Sequence, residues 1–281
     1  MQMQHTIAKP ASLSGAGVHS GKPVKLTVRP AAAGEGVRFV RSDAGGAVIP
    51  ATALAVSTTM MGTNLTSAGV SVATVEHFLA ACGGVGVDNI VAELDGPELP
   101  ILDGSSKPFV DLLLQAGIAE QGAARRAIRI LKPVEIRDGV KFARLSRGKG
   151  FEMRIAIDFP SKAIGRQTIS FAMKPGAFAQ EIAWARTFGF KKDAETMHAQ
   201  GKALGASMDN TIVVDGDDVL NAGGLQTPDE FVRHKLLDVI GDLFLAGGPI
   251  EGLYEAEQPG HALNNRLLRA LFADATAFEW A

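Results

Sequence analysis

The sequence predicts an α+β fold divided between two domains. Its 281 residues exceed the usual size of a single domain and fall short of three. Segments with the alternation of a β-strand are interspersed with segments of helical periodicity in both halves of the chain. Two short internal echoes favour a duplicated α+β unit, with chance similarity as the competing explanation.

The first half alternates between strands and helices. Its predicted elements are strands at 24–28 and 88–94 and helices at 74–82 and 109–114. Gly117 follows the second helix, where a glycine in the left-handed region commonly ends a helix. A polar stretch of small residues at 121–126 predicts the domain boundary, so we expect an N-terminal domain of residues 1–124 and a C-terminal domain of residues 125–281.

The second half repeats this mixture. Its predicted elements are strands at 128–131, 151–157 and 167–171 and helices at 177–184, 231–246 and 262–272. The helix at 231–246 carries the most complete boundary signals. Thr227 suits its N-cap, Pro228 its first position, and Gly247 its end.

The two echoes differ by similar offsets. Lys132-Pro133 follows a strand-like segment as Lys9-Pro10 does, 132 − 9 = 123 residues earlier. Residues 209–214 resemble residues 88–91, at an offset of 209 − 88 = 121. Both matches are short, and Lys-Pro is a common boundary of strands.

Composition excludes several classes of protein. Hydrophobic residues make up 46% and charged residues 21%, which suits a globular protein without transmembrane segments. A net charge of -2 gives no positive field for nucleic acid. The amino terminus lacks the features of a secretory signal, so we expect a cytoplasmic protein, and we expect it to be monomeric. With Cys82 alone, no thiolate cluster can form, and any metal must be held by His, Asp or Glu.

One helix carries a stripe of polar side chains. His234, Asp238 and Asp242 recur every four residues, while the opposite flank is apolar. Such i, i+4 pairs are common on exposed surfaces, which is the simpler interpretation. A second polar pair, Glu76-His77, lies in an apolar segment and favours a functional interpretation of both groups. Two histidines and a carboxylate would bind a catalytic zinc and leave a position open for water, with a glutamate as base.

His261 is open to two interpretations. It follows Pro259-Gly260 and precedes a predicted helix, so it is either a loop residue or a mobile acid. His19 lies in a glycine-rich turn, where a structural hydrogen bond is the simpler role.

Several longer blocks are specific in combination, although each alone occurs by chance. They are GAGVHSG at 15–21, TVEH at 74–77, DNIV at 88–91, LDGS at 102–105, ARTFGF at 185–190, FVRHKLLD at 231–238 and GHALNN at 260–265. With these blocks the chain resembles, nearly end to end, the zinc-dependent UDP-3-O-acyl-N-acetylglucosamine deacetylases of lipid A biosynthesis. The resemblance implies two similar α+β domains in a layered sandwich, with the active site in the interdomain cleft. It also implies hydrolysis of the N-acetyl group of the acylated UDP-sugar, which releases acetate.

The resemblance further implies roles for individual residues. His77, His234 and Asp238 match the zinc ligands of the family. Glu76 matches its general base, and His261 its general acid.

Other matches concern the oxyanion and the substrate. Thr187 matches a hydroxyl that helps to stabilise the oxyanion, and Asp242 would orient the acid. Lys235, Lys141 and Phe188 fall where the family approaches the nucleotide-sugar, its diphosphate or the acyl chain. The surroundings of residues 185–213 match an acyl-binding passage.

The chain departs from the family in two places. Residues 159–162 read Phe-Pro-Ser-Lys where many members have an aromatic-x-His-Pro turn, which removes a histidine from the nucleotide side. Lys191 and Ala206 replace residues of the passage that are often more apolar or smaller, so the preferred acyl length does not transfer.

Three alternatives remain at the level of the sequence. The same ligands serve zinc hydrolases of other amides or esters. A non-catalytic UDP-sugar or lipid-binding module would need neither Glu76 nor His261. A structural protein with surface His-Asp pairs would bind no stoichiometric metal.

Overall fold

Two β-sheets with the same strand order form the framework of the protein. The computed structural model describes residues 2–281. The strands are β1 (Met3–Ile7), β2 (Ala11–Ala16), β3 (Pro23–Pro30), β4 (Val37–Arg41), β5 (Ala47–Pro50), β6 (Val56–Thr58), β7 (Asn64–Ser67), β8 (Val70–Val72), β9 (Ile90–Leu94), β10 (Ile118–Ala124), β11 (Ile128–Ile130), β12 (Val134–Asp138), β13 (Lys141–Ser146), β14 (Phe151–Asp158), β15 (Arg166–Ala172), β16 (Phe188–Phe190), β17 (Ile212–Asp215), β18 (Asp218–Val219), β19 (Ile250–Glu257) and β20 (Phe278–Trp280). The helices are α1 (Glu76–Val85), α2 (Lys107–Ala116), α3 (Ala177–Glu181), α4 (Lys191–Ala199), α5 (Glu230–Phe244) and α6 (His261–Ala273). The protein therefore has the predicted α+β fold.

The two sheets share one topology. The first has the order β2-β3-β9-β4-β5, in which β9 is antiparallel to β3 and parallel to β4. In the second, β19 takes the central place, antiparallel to β13 and parallel to β14, with β12 and β15 outside them. The pairs β1–β10 and β11–β20 are both antiparallel, but β1–β10 forms a separate two-stranded sheet, whereas β11 also pairs with β19 and joins β20 to the second sheet. This repetition supports two similar units.

Only one of the two sequence echoes falls on corresponding strands of the two halves. Lys9-Pro10 and Lys132-Pro133 follow β1 and β11, which pair antiparallel with β10 and β20 respectively. The echo at 209–214 falls on β17, in a small sheet with β16 and β18, whereas the counterpart of β9 is β19. The interpretation of this second echo as part of the repeat is wrong. The proposed boundary follows the last residue of β10 and stays a prediction.

The helices pack against one another and against the sheets, with α2 in contact with β2 and both α5 and α6 in contact with strands of the second sheet. Helices α1 and α2 contact each other, as do α5 and α6, and α1 contacts α5. Gly241 allows this last contact to be close, because a Cβ atom there would lie 2.0 Å from the backbone oxygen of Glu76. The first turn of α1 is thereby brought against the middle of α5.

Most predicted elements are confirmed, with shifted ends. The strands at 24–28, 88–94, 128–131, 151–157 and 167–171 and the helices at 109–114 and 262–272 correspond to observed elements. The helix predicted at 74–82 runs instead from Glu76 to Val85, and the one predicted at 177–184 ends at Glu181. Residues 121–124 belong to a strand. None of the helices within residues 2–281 combines the length and the apolar character needed to cross a membrane.

The predicted N-cap of α5 is wrong. The helix begins at Glu230, and its N-cap Asp229 makes no capping hydrogen bond with its side chain. Thr227 Oγ1 donates instead to Asp229 Oδ1 at 2.7 Å, while Asp229 also accepts from Arg233. The carboxylate of Asp229 is thus bonded to other side chains and does not cap the backbone of α5.

A buried ion pair ties the segment that carries Thr187 to the start of α5. Glu230 is fully buried and accepts hydrogen bonds from Arg186 Nε at 2.8 Å and Arg186 Nη2 at 3.1 Å. We expect Arg186→Ala to lower the free energy of unfolding by about 3–5 kcal/mol, because it leaves a buried carboxylate without its cation. Denaturant titration checks this. Lys107→Ala, which removes an exposed pair with Asp111, should cost about 1 kcal/mol or less, and equal losses in the two variants would contradict the account.

Candidate active site

The polar stripe of α5 faces the first turn of α1 in the interior of the protein. Glu76, His77, His234, Asp238 and Asp242 are each only 2–4% exposed. The interpretation of the stripe as a solvated surface is therefore wrong. These side chains meet because α1 and α5 pack against each other.

Three side chains present metal-ligating atoms to one point. Single atoms of His77, His234 and Asp238 all lie within 4.8 Å of one another. Asp238 Oδ1 lies 3.7 Å from His77 Nε2 and 3.5 Å from His234 Nε2, and this buried oxygen has no hydrogen-bond partner among residues 2–281. Because an ionised buried oxygen without a partner is costly, the set fits a divalent cation of the zinc type.

Neighbouring groups orient these atoms and set their protonation. His234 Nδ1 lies 3.1 Å from the backbone oxygen of Ala185, so Nε2 points towards the other ligands. Burial lowers the pKa of His77 to about 3 and also lowers the pKa of His234. Burial alone would raise the pKa of Asp238, but Lys235, whose Nζ donates to Oδ2 at 2.8 Å, leads the charges that hold it far below the usual range. Neutral imidazoles and an ionised carboxylate are the forms that bind metal.

His261 begins α6 and is paired with Asp242. Its Nδ1 lies 2.9 Å from Asp242 Oδ2, and its Nε2 lies 3.9 Å from Glu76 Oε1. Burial opposes the charge on the imidazole, but Asp242 and then Glu76 outweigh it and raise the pKa of His261 to about 10. At this pKa the imidazole of His261 is protonated at neutral pH, the form that a general acid requires, and the residue belongs to a helix and not to a loop.

Glu76 has the properties of a base that works near neutrality. Burial raises its pKa to about 7, the carboxylates of Asp238 and Asp242 add to the rise, and His261 opposes it. Its Oε2 accepts a hydrogen bond from the backbone nitrogen of Thr63 at 2.9 Å. A carboxylate with this pKa can accept a proton at pH 7 and hold it.

A cavity of about 460 Å³ opens beside this cluster. Thr187, Phe188 and Lys235 line it, together with Glu76, His77, His234, Asp238 and His261. Its apolar part continues along residues 188–213 to side chains such as Phe190, Met197, Met208 and Val213. Lys141 is exposed at the start of β13 and is not among the lining residues.

The departures noted in the sequence lie around this cavity. Lys191 lines it, but its Nζ pairs with Asp215 at 2.6 Å, so the charge is engaged outside the apolar wall. Phe159 packs its ring on Phe188 and Phe190, with centroids 5.6 and 5.9 Å away. Of residues 159–162, Phe159 therefore supports the aromatic wall, whereas Ser161 and Lys162 bond to Gly216 and Asp217.

Sequence reasoning missed a group of polar residues behind Asp242. Thr63 Oγ1 donates to Asp242 Oδ1 at 2.5 Å, and Asn264 Nδ2 donates to Asp242 Oδ2 at 2.8 Å. The hydroxyl of Tyr254 donates in turn to Asn264 Oδ1 at 2.7 Å. The position of Asn264 three residues after His261 was a usable signal, whereas an isolated threonine after Met61-Gly62 gives none.

Comparison with known proteins identifies similar chains over the full length. A family model described as UDP-3-O-acyl N-acetylglycosamine deacetylase matches residues 4–273. A UDP-3-O-acyl-N-acetylglucosamine deacetylase of Phenylobacterium zucineum (strain HLK1) is 50% identical over 278 residues, which cover 98% of this chain and 95% of that protein. Proteins of the same name from Xanthomonas campestris pv. campestris (strain B100) and Pasteurella multocida (strain Pm70) are 49% and 48% identical, and each match covers 100% of this chain and 93% of the relative.

Proposed function

This chain belongs to the UDP-3-O-acyl N-acetylglycosamine deacetylase family, and from that premise we propose that it hydrolyses the N-acetyl group of UDP-3-O-acyl-N-acetylglucosamine. The products are UDP-3-O-acyl-glucosamine and acetate, and the reaction belongs to lipid A biosynthesis. We propose zinc as the cofactor, with His77, His234 and Asp238 as its ligands. The observation that carries this proposal is the buried Asp238 Oδ1, which faces both imidazoles and has no hydrogen-bond partner within residues 2–281.

The residues around the ligands divide the chemistry between a base and an acid. A zinc ion held by His77, His234 and Asp238 would serve as a Lewis acid for the acetyl carbonyl and would make water a better nucleophile. Glu76, with its pKa near 7, removes the proton of the attacking water. His261 holds its proton through Asp242 and delivers it to the departing sugar nitrogen. Thr187 lines the same cavity and is proposed to donate to the developing oxyanion.

The cavity supports the proposed substrate class. Its apolar extension beside Phe188 suits an acyl chain, and Lys235 supplies a positive charge at the junction with the catalytic cluster. Lys141, exposed and outside the cavity wall, remains a proposed contact for the nucleotide part of the substrate. The cytoplasmic location, the monomeric state and the two-domain division at residue 124 also remain predictions.

Removing the acyl chain from the substrate tests the proposed role of the cavity. We expect kcat/KM for acetate release to fall by roughly 100-fold or more with UDP-N-acetylglucosamine, because each buried methylene contributes about 0.8 kcal/mol. A steady-state assay with both substrates measures the ratio. Equal kcat/KM for the two substrates would show that binding of the acyl chain does not contribute to catalysis.

The pairing of His261 with Asp242 predicts a change in the pH profile. The reaction needs Glu76 ionised and His261 protonated, so kcat/KM should rise with pH on the first limb and fall as His261 loses its proton. Asp242→Asn removes the negative charge that raises the pKa of His261. The basic limb should therefore move to lower pH by about one unit or more, while metal content stays nearly unchanged.

The control for this experiment is His261→Ala, in which the basic limb should be lost. An unshifted basic limb in Asp242→Asn, combined with a persistent bell in His261→Ala, would rule out His261 as the acid. Because the titrations of these buried groups are coupled, the pKa values taken from the pH profile of each variant are macroscopic values of the whole group.

A further inference from the structure

Thr63 touches both halves of the proposed acid–base machinery. Its backbone nitrogen donates to Glu76 Oε2 at 2.9 Å, and its hydroxyl donates to Asp242 Oδ1 at 2.5 Å. The residue is 1% exposed, so water does not compete for either bond. Thr63 thus contacts the proposed base, Glu76, directly. It contacts the proposed acid, His261, only through Asp242.

The local backbone makes this double contact possible. Gly62 has φ 141°, and a Cβ atom there would lie 3.0 Å from Glu76 Oε1. A side chain at this position would be strained and would crowd the carboxylate. The carbonyl oxygen of Thr63 also accepts from the backbone nitrogen of Val75 at 3.2 Å, which fastens the segment to the residue before α1.

The hydroxyl of Thr63 completes the hydrogen bonding of the Asp242 carboxylate. Oδ2 receives His261 Nδ1 at 2.9 Å and Asn264 Nδ2 at 2.8 Å, whereas Oδ1 receives only Thr63 among residues 2–281. The bond from Thr63 therefore adds a second point of attachment to the carboxylate on which His261 is held. Without it, the carboxylate would be held through Oδ2 alone.

We propose that Thr63 is a positioning residue that fixes the separation of Glu76 and the Asp242–His261 pair. The base and the acid are thereby held at a distance that lets both act on the same amide group. The inference rests on the proposed function, since it assumes that Glu76 and His261 act in one reaction. Thr63 does not line the cavity, so it acts through its two carboxylate partners and not on the substrate.

The test compares Thr63→Val, which removes the hydroxyl and keeps the backbone donor, with Thr63→Ser, which keeps both. We expect Thr63→Val to lower kcat by roughly 10-fold or more, the scale of one hydrogen bond to a charged group, with KM and zinc content within about twofold of wild type. Thr63→Ser should restore kcat to within about threefold. Thr63→Ala serves the same comparison if the valine variant does not fold.

A double-mutant cycle separates positioning from a general structural effect. In an Asp242→Asn background, the loss caused by Thr63→Val should shrink to about twofold or less, because both changes act through one carboxylate. Thr66→Val removes a hydroxyl from β7 whose partner within residues 2–281 is Ser57 Oγ, and it should leave kcat unchanged. Undiminished losses in the Asp242→Asn background, or a kcat of Thr63→Val equal to that of wild type, would overturn the inference.

These outcomes remain separate from those of the proposed function. If the wild-type protein with zinc releases no acetate from UDP-3-O-acyl-N-acetylglucosamine, the proposed function fails, and the inference falls with it. If the wild-type protein is active and the Thr63 variants match it, only the inference fails.

Discussion

Glu76→Gln is expected to lower kcat by roughly 100-fold or more while the protein keeps its metal. The scale is that of a lost general base, since the amide of glutamine cannot accept the proton of the attacking water. Glu76 is not one of the three side chains whose ligating atoms converge, so the metal site should survive its replacement. Single-turnover kinetics and metal analysis on the same preparation provide the two measurements.

The design of this variant keeps the local hydrogen bonding interpretable. Glutamine preserves the side-chain length and an oxygen that can accept from the backbone nitrogen of Thr63. Glu98→Gln is a matched control, because Glu98 is also buried but accepts hydrogen bonds from His19 and Ser20, outside the catalytic cluster. Loss of metal from Glu76→Gln without a defect in turnover per bound metal would reverse the assigned role.

His77→Ala and Asp238→Ala are expected to abolish stoichiometric metal binding. Each variant removes one of three proposed protein ligands, and the affinity should fall by more than the 10–100-fold that is typical when a residue behind a ligand is lost. Asp238→Ala also leaves Lys235 without the carboxylate that its Nζ contacts at 2.8 Å. Dialysis against a metal buffer followed by elemental analysis gives the stoichiometry.

A histidine outside the site provides the control for metal binding. His5 lies on β1, away from the proposed ligands, so the His5→Ala variant should retain the metal content of the wild type. Full occupancy in both His77→Ala and Asp238→Ala would contradict the ligand assignment. Loss in only one of them would leave the other residue outside the metal site.

Local patterns in the sequence predicted most of the fold because they report burial on one face. The alternation at 24–28 has one buried face, as β3 does. The helical spacing at 231–246 predicted α5, although this helix is buried on its polar stripe as well as on its apolar flank. The start of α5 could not be predicted in the same way, because Thr227 and Asp229 bond to each other and to Arg233 instead of capping the helix. The strand at 118–124 pairs with β1 more than a hundred residues away, and no local pattern encodes that partner.

The site shows the same division between local and long-range information. The spacing of His234 and Asp238 on one helix and the polar pair Glu76-His77 in an apolar segment could be read from the sequence, and the resemblance to a family assigned their individual roles. The contact of α1 with α5 depends on Gly241, whose role appears only when the two helices are docked. Thr63 was missed for the same reason, since its bonds to Glu76 and Asp242 cross 13 and 179 residues of chain.

Removal and return of the metal is the most direct test of the account. The protein is treated with a chelator, zinc is added back in steps, and acetate release from UDP-3-O-acyl-N-acetylglucosamine is followed at each step. The account predicts that the metal-free protein is inactive and that turnover rises in proportion to bound zinc until one ion is held per chain. Full turnover by metal-free protein, or no turnover of this substrate at one bound zinc per chain, would contradict it.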